Sequence, residues 1–162
     1  MQQTLIRSVE QLDQLLDETD SLMTTLANAS AFLNELLSGI NWVGFYLLQQ
    51  GELRLGPFQG KPACTRIAVG SGVCGTAIAT NQTQRVEDVH AFPGHIACDS
   101  ASNSELVVPL SSEDGEPIGV LDIDSPLFSR FTEADAREME RAAKIISYKI
   151  RNTFKTGKGT HT

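Results

Sequence analysis

Residues 105–124 read ELVVPLSSEDGEPIGVLDID, and this stretch decides the fold. Two short runs rich in Val, Leu and Ile, Glu105–Leu110 and Pro117–Ile123, flank the turn residues Glu113-Asp114-Gly115-Glu116. Such runs on either side of a glycine-containing turn read as two antiparallel strands. The first strand then begins beside the end of the second, which brings Glu105 near Asp122 and Asp124. Positions two apart in a strand share a face, so Asp122 and Asp124 are expected to point with Ile118 and Val120. These carboxylates either face solvent at a strand end or line a pocket. In a partly enclosed site they repel one another and raise at least one pKa. That supplies a proton donor near neutrality together with a binder for a cation.

Upstream, Trp42 to Leu48 (WVGFYLL) is short, aromatic and apolar, and reads as another strand. Gln50-Gly51 turns into a strand at Leu53–Leu55, and the Gly/Pro-punctuated residues 56–62 read as loop. A strand is expected over 65–69, a short helix over 73–79, a minor strand over 85–89 and a long loop over 90–103. Helical spacing is seen at 4–17, where Ile6, Val9, Leu12 and Leu16 share a face. It recurs after Asp20, a candidate N-cap, in Leu22, Leu26, Leu33 and Leu37, with Gly39 as the stop. Thr132-Glu133-Ala134-Asp135 opens a last helix whose stripe is Met139, Ala142, Ile146 and Ile150. The order of elements predicts one α+β domain over 1–162, a central antiparallel sheet with helices packed on one side. Residues 1–19 would form an N-terminal helical segment and 153–162 a flexible tail; no internal repeat or inter-domain linker is visible.

A chain of 162 residues can bury roughly 70% of its unfolded surface, enough to carry a ligand cavity without metals or structural disulfides. Thirteen Lys and Arg against twenty Asp and Glu give a formal net charge of -7. That balance argues against binding nucleic acid or an anionic membrane surface, both of which reward a basic face. The N-terminus has no apolar signal core, and no apolar run approaches the ~20 residues of a membrane span. A cytoplasmic location is expected, where three cysteines suggest thiols rather than a disulfide framework.

Cys64 and Cys98 lie in loop-like surroundings, where functional groups concentrate. Cys74, in GVCGTA (72–77), reads equally as a small buried hydrophobe or a reactive thiol. Cys98 stands close to His90 and His95; a nearby imidazolium would favour its thiolate, whereas Asp99 would oppose it. Trp42, the only tryptophan, is either core or the wall of a pocket. Cys64, Cys74, His90, His95 and Cys98 include the ligand types zinc uses, but no C-x-x-C pair exists and the Cys intervals are ten and twenty-four. No metal is expected. There is no phosphate-binding glycine motif either.

INWVGFYLL (40–48), GPFQGKPACTRIAVGSGVCGTA (56–77), RVEDVHAFPGHIACDSASNSELVVPL (85–110) and PIGVLDIDSP (117–126) together resemble the free methionine-(R)-sulfoxide reductases, a family of GAF-domain enzymes. The likeness runs from about residue 20 to 150 and includes all three cysteines in their family contexts. It implies a GAF-like fold and reduction of free methionine-(R)-sulfoxide. It implies Cys98 as the catalytic cysteine, Cys64 as the principal resolving cysteine and Cys74 as an auxiliary one. Trp42 would be the aromatic wall, and Glu105, Asp122 and Asp124 the acidic substrate-binding residues. The resemblance also implies a homodimer, no cofactor, and thioredoxin as the external dithiol reductant. Two other classes compete: a GAF sensor that binds a ligand without chemistry, and a general thiol-based oxidant sensor.

Overall fold

The computed structural model describes residues 8–95 and 101–154. In chain order its elements are α1 (Gln11–Leu15), α2 (Leu22–Leu36), β1 (Trp42–Gln49), β2 (Glu52–Gly60), β3 (Arg66–Ala68), α3 (Gly72–Thr80), β4 (Gln84–Val86), β5 (Ser104–Ser111), β6 (Pro117–Ser125) and α4 (Glu133–Ile150). Among the described residues the strands form one sheet in the order β3-β2-β1-β6-β5-β4, and every neighbouring pair is antiparallel. β5 and β6 pair as the turn at 113–116 predicts, with Gly115 at a φ of 81° closing it.

Period-two alternation sorts the strands into two faces. Val43, Phe45, Leu47, Leu106, Val108, Leu121 and Ile123 pack against α1, α2 and α4 through Leu12, Leu26, Leu33, Met139, Ala142 and Ile146. Trp42, Tyr46, Val107 and Val120 point the other way. The expectation of helices on one side describes α1, α2 and α4. The short helix α3 lies across the opposite face with Val73, Ala77 and Ile78. This second layer encloses the site.

Several boundaries differ from the sequence reading for identifiable reasons. α2 is capped by Ser21, whose side chain accepts from the Thr24 N–H, rather than by Asp20. In the 4–17 segment only Gln11–Leu15 is α-helical among the described residues. Residues 56–60 belong to β2, not to a loop. Their Gly and Pro mark a bulge: the β1–β2 register shifts between Gly44 and Tyr46, and Pro57 falls in it, a strand position that tolerates proline. Ile118 joins the helix-side core instead of sharing a face with Val120, because the β5–β6 register also slips between Leu110 and Ser111. α4 starts on the expected capping box, with Thr132 and Asp135 bonding each other's backbone. Arg151–Phe154 form a 3-10 turn; the rest of the expected tail lies outside the described residues.

Candidate active site

Strand pairing builds one wall of the site. Trp42 stands opposite Asp124 across β1–β6, and Asp124 stands opposite Glu105 across β6–β5. The next row on that face is Gly44, Asp122 and Val107. Glu105 and Asp122 are only 7% and 5% exposed. The opposing wall is α3, whose first turn sets the Cys74 Sγ 3.8 Å from Glu105 Oε1. One donor atom each from Cys74, Glu105 and Asp122 lie within 4.8 Å of one another.

Burying three acidic groups together changes their protonation. Burial, and then the fields of Asp122 and Asp124, push the Glu105 carboxyl well above its usual range. Burial lifts Asp122 to about 6, opposed by hydrogen bonds from Glu105 and Cys74. Burial and the same carboxylates push the Cys74 thiol well above its ordinary value. Cys74 is therefore a protonated thiol at neutral pH, a poor nucleophile. Among the described residues, Asp122 Oδ1 is buried without a hydrogen-bond partner, an arrangement costly enough to call for a ligand.

An aromatic stack forms the third wall. Trp42 lies 5.1 Å from Phe58 and 5.9 Å from Tyr46, centroid to centroid. Its indole N–H donates to the Lys61 carbonyl at 3.1 Å, and the Tyr46 hydroxyl donates to the Cys64 carbonyl at 2.9 Å. Two glycines make this stack possible. A Cβ on Gly44 would sit 2.2 Å from Phe58 Cβ, and one on Gly60, at a φ of 141°, 2.5 Å from Trp42 Cδ1. The two tethers hold the loop carrying Cys64 over the site. Cys64 is disulfide-bonded, whereas Cys74 is a free thiol.

The enclosed cavity is lined by Trp42, Tyr46, Cys74, Glu105, Asp122 and Asp124, with Pro62, Ala63, His95 and Ser102 at its margins. Its volume of about 50 Å³ admits water. A far larger open groove, about 990 Å³, lies between α4 and the β5 edge. Among the described residues it is lined by no cysteine and no buried carboxylate, so the chemistry belongs to the smaller cavity. His95 edges onto His90 at 6.1 Å, and burial followed by the His90 charge lowers its pKa. His95 is thus biased towards the neutral form, away from an imidazolium.

Of the residues singled out from sequence, Trp42, Cys74, Glu105, Asp122 and Asp124 line one cavity, and Cys64 lies at its edge, tied to Tyr46 through its backbone. Cys98 lies outside the described residues. All three carboxylates border the cavity, and Glu105 and Asp122 are buried there. Tyr46 and Phe58 were not anticipated. Tyr46 had a signal, since it shares strand parity with Trp42. Phe58 had none, because its approach depends on the bulge opposite Gly44.

Residues 18–150 match the GAF domain family. The chain is 62% identical over 136 residues to the free methionine-R-sulfoxide reductase of Escherichia coli, covering 80% of this chain and 82% of that one. The reduced form of fRMsr from Staphylococcus aureus superposes with a TM-score of 0.84 at 51% identity, covering 88% and 92% of the two chains. The free methionine-R-sulfoxide reductase of Neisseria meningitidis, solved in complex with its substrate, does so with a TM-score of 0.83 at 45% identity, covering 90% and 88%. With the carboxylate row, the aromatic wall and the cysteine-bearing loop framing one cavity on such a scaffold, the chain belongs to the GAF-domain free methionine-R-sulfoxide reductases and is an oxidoreductase of that family.

Proposed function

We propose that this enzyme reduces free L-methionine-(R)-sulfoxide with Cys98 as nucleophile, Cys64 as resolving thiol, and the acidic row as binder and proton source. The buried Asp122 Oδ1 beside Glu105, unpaired among the described residues, carries this reading, because it offers an acceptor to a cationic group at a cavity walled by Trp42. The substrate ammonium fits that acceptor, with Asp124 on the neighbouring row. A peptide-bound residue presents an uncharged amide there, which gives a physical ground for preferring the free amino acid. The Trp42 face suits the methyl group on the sulfoxide sulfur.

The Cys98 sulfur attacks the sulfoxide. As the S–O bond breaks, the oxygen passes to Cys98 as a sulfenic acid, methionine departs, and the Cys98 proton is conserved overall. Glu105 is the group best suited to protonate the oxygen in the transition state, since burial and its acidic neighbours push its pKa well above the usual carboxyl range. A second thiol then condenses with the sulfenic acid, releasing water and forming a disulfide. The disulfide-bonded state of Cys64 supports its assignment to that step, and the high thiol pKa of Cys74 favours an auxiliary role. Thioredoxin, as an external dithiol, returns both cysteines to thiols by exchange; no resident cofactor or metal takes part. A cytoplasmic homodimer is the expected setting, and no described helix is long and apolar enough to cross a membrane.

The test mixes reduced protein with each methionine sulfoxide epimer and counts thiols and methionine. Thiol loss matched by methionine from the R epimer alone is expected. Binding without thiol loss would instead indicate a sensor, and a response to peroxide that ignores the sulfoxide a general oxidant sensor. Cys98→Ser should abolish turnover, and full activity in that variant would end the assignment. A Cys64→Ser protein should perform the first reduction and fail to recycle with thioredoxin.

A further inference from the structure

Cys74, Glu105 and Asp122 come from three elements, α3, β5 and β6, and present one sulfur and two carboxylate oxygens to a common point. All three residues are more than nine-tenths buried. Asp122 Oδ1 borders the cavity with no hydrogen-bond partner among the described residues. In a tetrahedral zinc site, bonds of about 2.3 Å to sulfur and about 2.0 Å to oxygen put the two ligand atoms about 3.5 Å apart. The observed Cys74 Sγ to Glu105 Oε1 separation is 3.8 Å, within a few tenths of an ångström of that edge. The adjoining cavity of about 50 Å³ leaves room for a water as fourth ligand.

We infer that Cys74, Glu105 and Asp122 form a binding site for one thiophilic divalent cation of the zinc type. A thiolate beside two carboxylates suits a borderline-soft ion and disfavours magnesium, which demands octahedral oxygen coordination. Binding displaces the protons held by Cys74 and Glu105, and the ion's charge then offsets the thiolate and the two carboxylates gathered there. No zinc pattern exists in the sequence because the ligands meet only through strand pairing and the placement of α3. The same carboxylates are proposed to take the substrate ammonium, so cation and substrate would exclude one another. That consequence rests on the functional reading above, whereas the following test does not depend on turnover.

Protein in which thiol counting shows a single free cysteine is titrated with Co²⁺ as a spectroscopic stand-in, then with Zn²⁺. A thiolate-to-cobalt charge-transfer band that saturates at one equivalent is expected, erased by Zn²⁺ and untouched by Mg²⁺. It should vanish in Cys74→Ser, and Glu105→Gln should weaken Co²⁺ binding at least tenfold. Circular dichroism checks that each variant is folded. If Cys74→Ser does not fold, the near-isosteric Glu105→Gln carries the test alone. No saturable binding by the wild type, a band that survives in folded Cys74→Ser, or unchanged affinity in Glu105→Gln would each overturn the proposal.

Discussion

Replacing Asp122 with asparagine should make the protein more stable and less active, with the stability gain dependent on pH. The Asp122 carboxyl titrates at about 6 in the folded protein, against 3.8 for an ordinary aspartate, because it is buried. Below the lower value it is protonated in both states and costs nothing. As pH rises from 3.8 towards 6, the unfolded chain releases this proton while the folded one retains it, so folding stability falls. Above 6 the penalty is complete. The gap between the two values corresponds to about 3 kcal/mol, shared in practice with Glu105, whose hydrogen bond the same carboxylate accepts. The asparagine side chain keeps a carbonyl acceptor and never ionises. Urea unfolding of chelator-treated protein at about pH 4 and about pH 7.5 should show the variant gaining on wild type by about 2 kcal/mol between the two. Activity towards the sulfoxide should fall mainly through a raised KM, since the charge that holds the ammonium is gone. A variant equally or less stable than wild type at both pH values would refute the claim that this carboxylate is buried at a cost to folding.

Tyr46→Phe deletes the hydroxyl that holds the Cys64 carbonyl. It should slow recycling in steady-state assays with thioredoxin while sparing single-turnover reduction. Gly44→Ala drives a methyl into Phe58 and should destabilise by about 3 kcal/mol in urea unfolding. Thr132→Ala removes one half of the α4 capping box and should cost about 1 kcal/mol without altering kcat/KM. Glu105→Gln keeps the shape of the buried side chain but cannot release a proton as the acid does. It should lower kcat in single-turnover measurements far more than it alters substrate affinity.

How much of this was legible in advance depends on the range of the interaction involved. The β5–β6 hairpin and the convergence of Glu105 with Asp122 and Asp124 followed from a short turn and a period of two, both local properties. The α4 start was legible for the same reason, since Thr132 and Asp135 satisfy each other's backbone within one turn. The Gly/Pro-rich residues 56–60 misled, because the same residue types that break strands also make bulges, and only the partner strand decides which. The ambiguity of Cys74 was likewise a matter of range. Whether it is a passive core residue or a neighbour of two carboxylates depends on α3 crossing the face opposite the long helices.

Sequence alone therefore determined most of the element types, the antiparallel hairpin, the acidic row and the family, because periodicity, turn chemistry and motif residues are written along the chain. Tertiary structure alone decided that Asp122 Oδ1 is left unpaired among the described residues, that Cys74 meets Glu105 across the site, that Phe58 reaches Trp42 over Gly44, and that burial lowers the His95 pKa. Those features arise from burial and from contacts between residues distant in the chain. Desolvation and close approach have no representation in residue spacing, and exist only once the sheet and α3 have closed around the cavity.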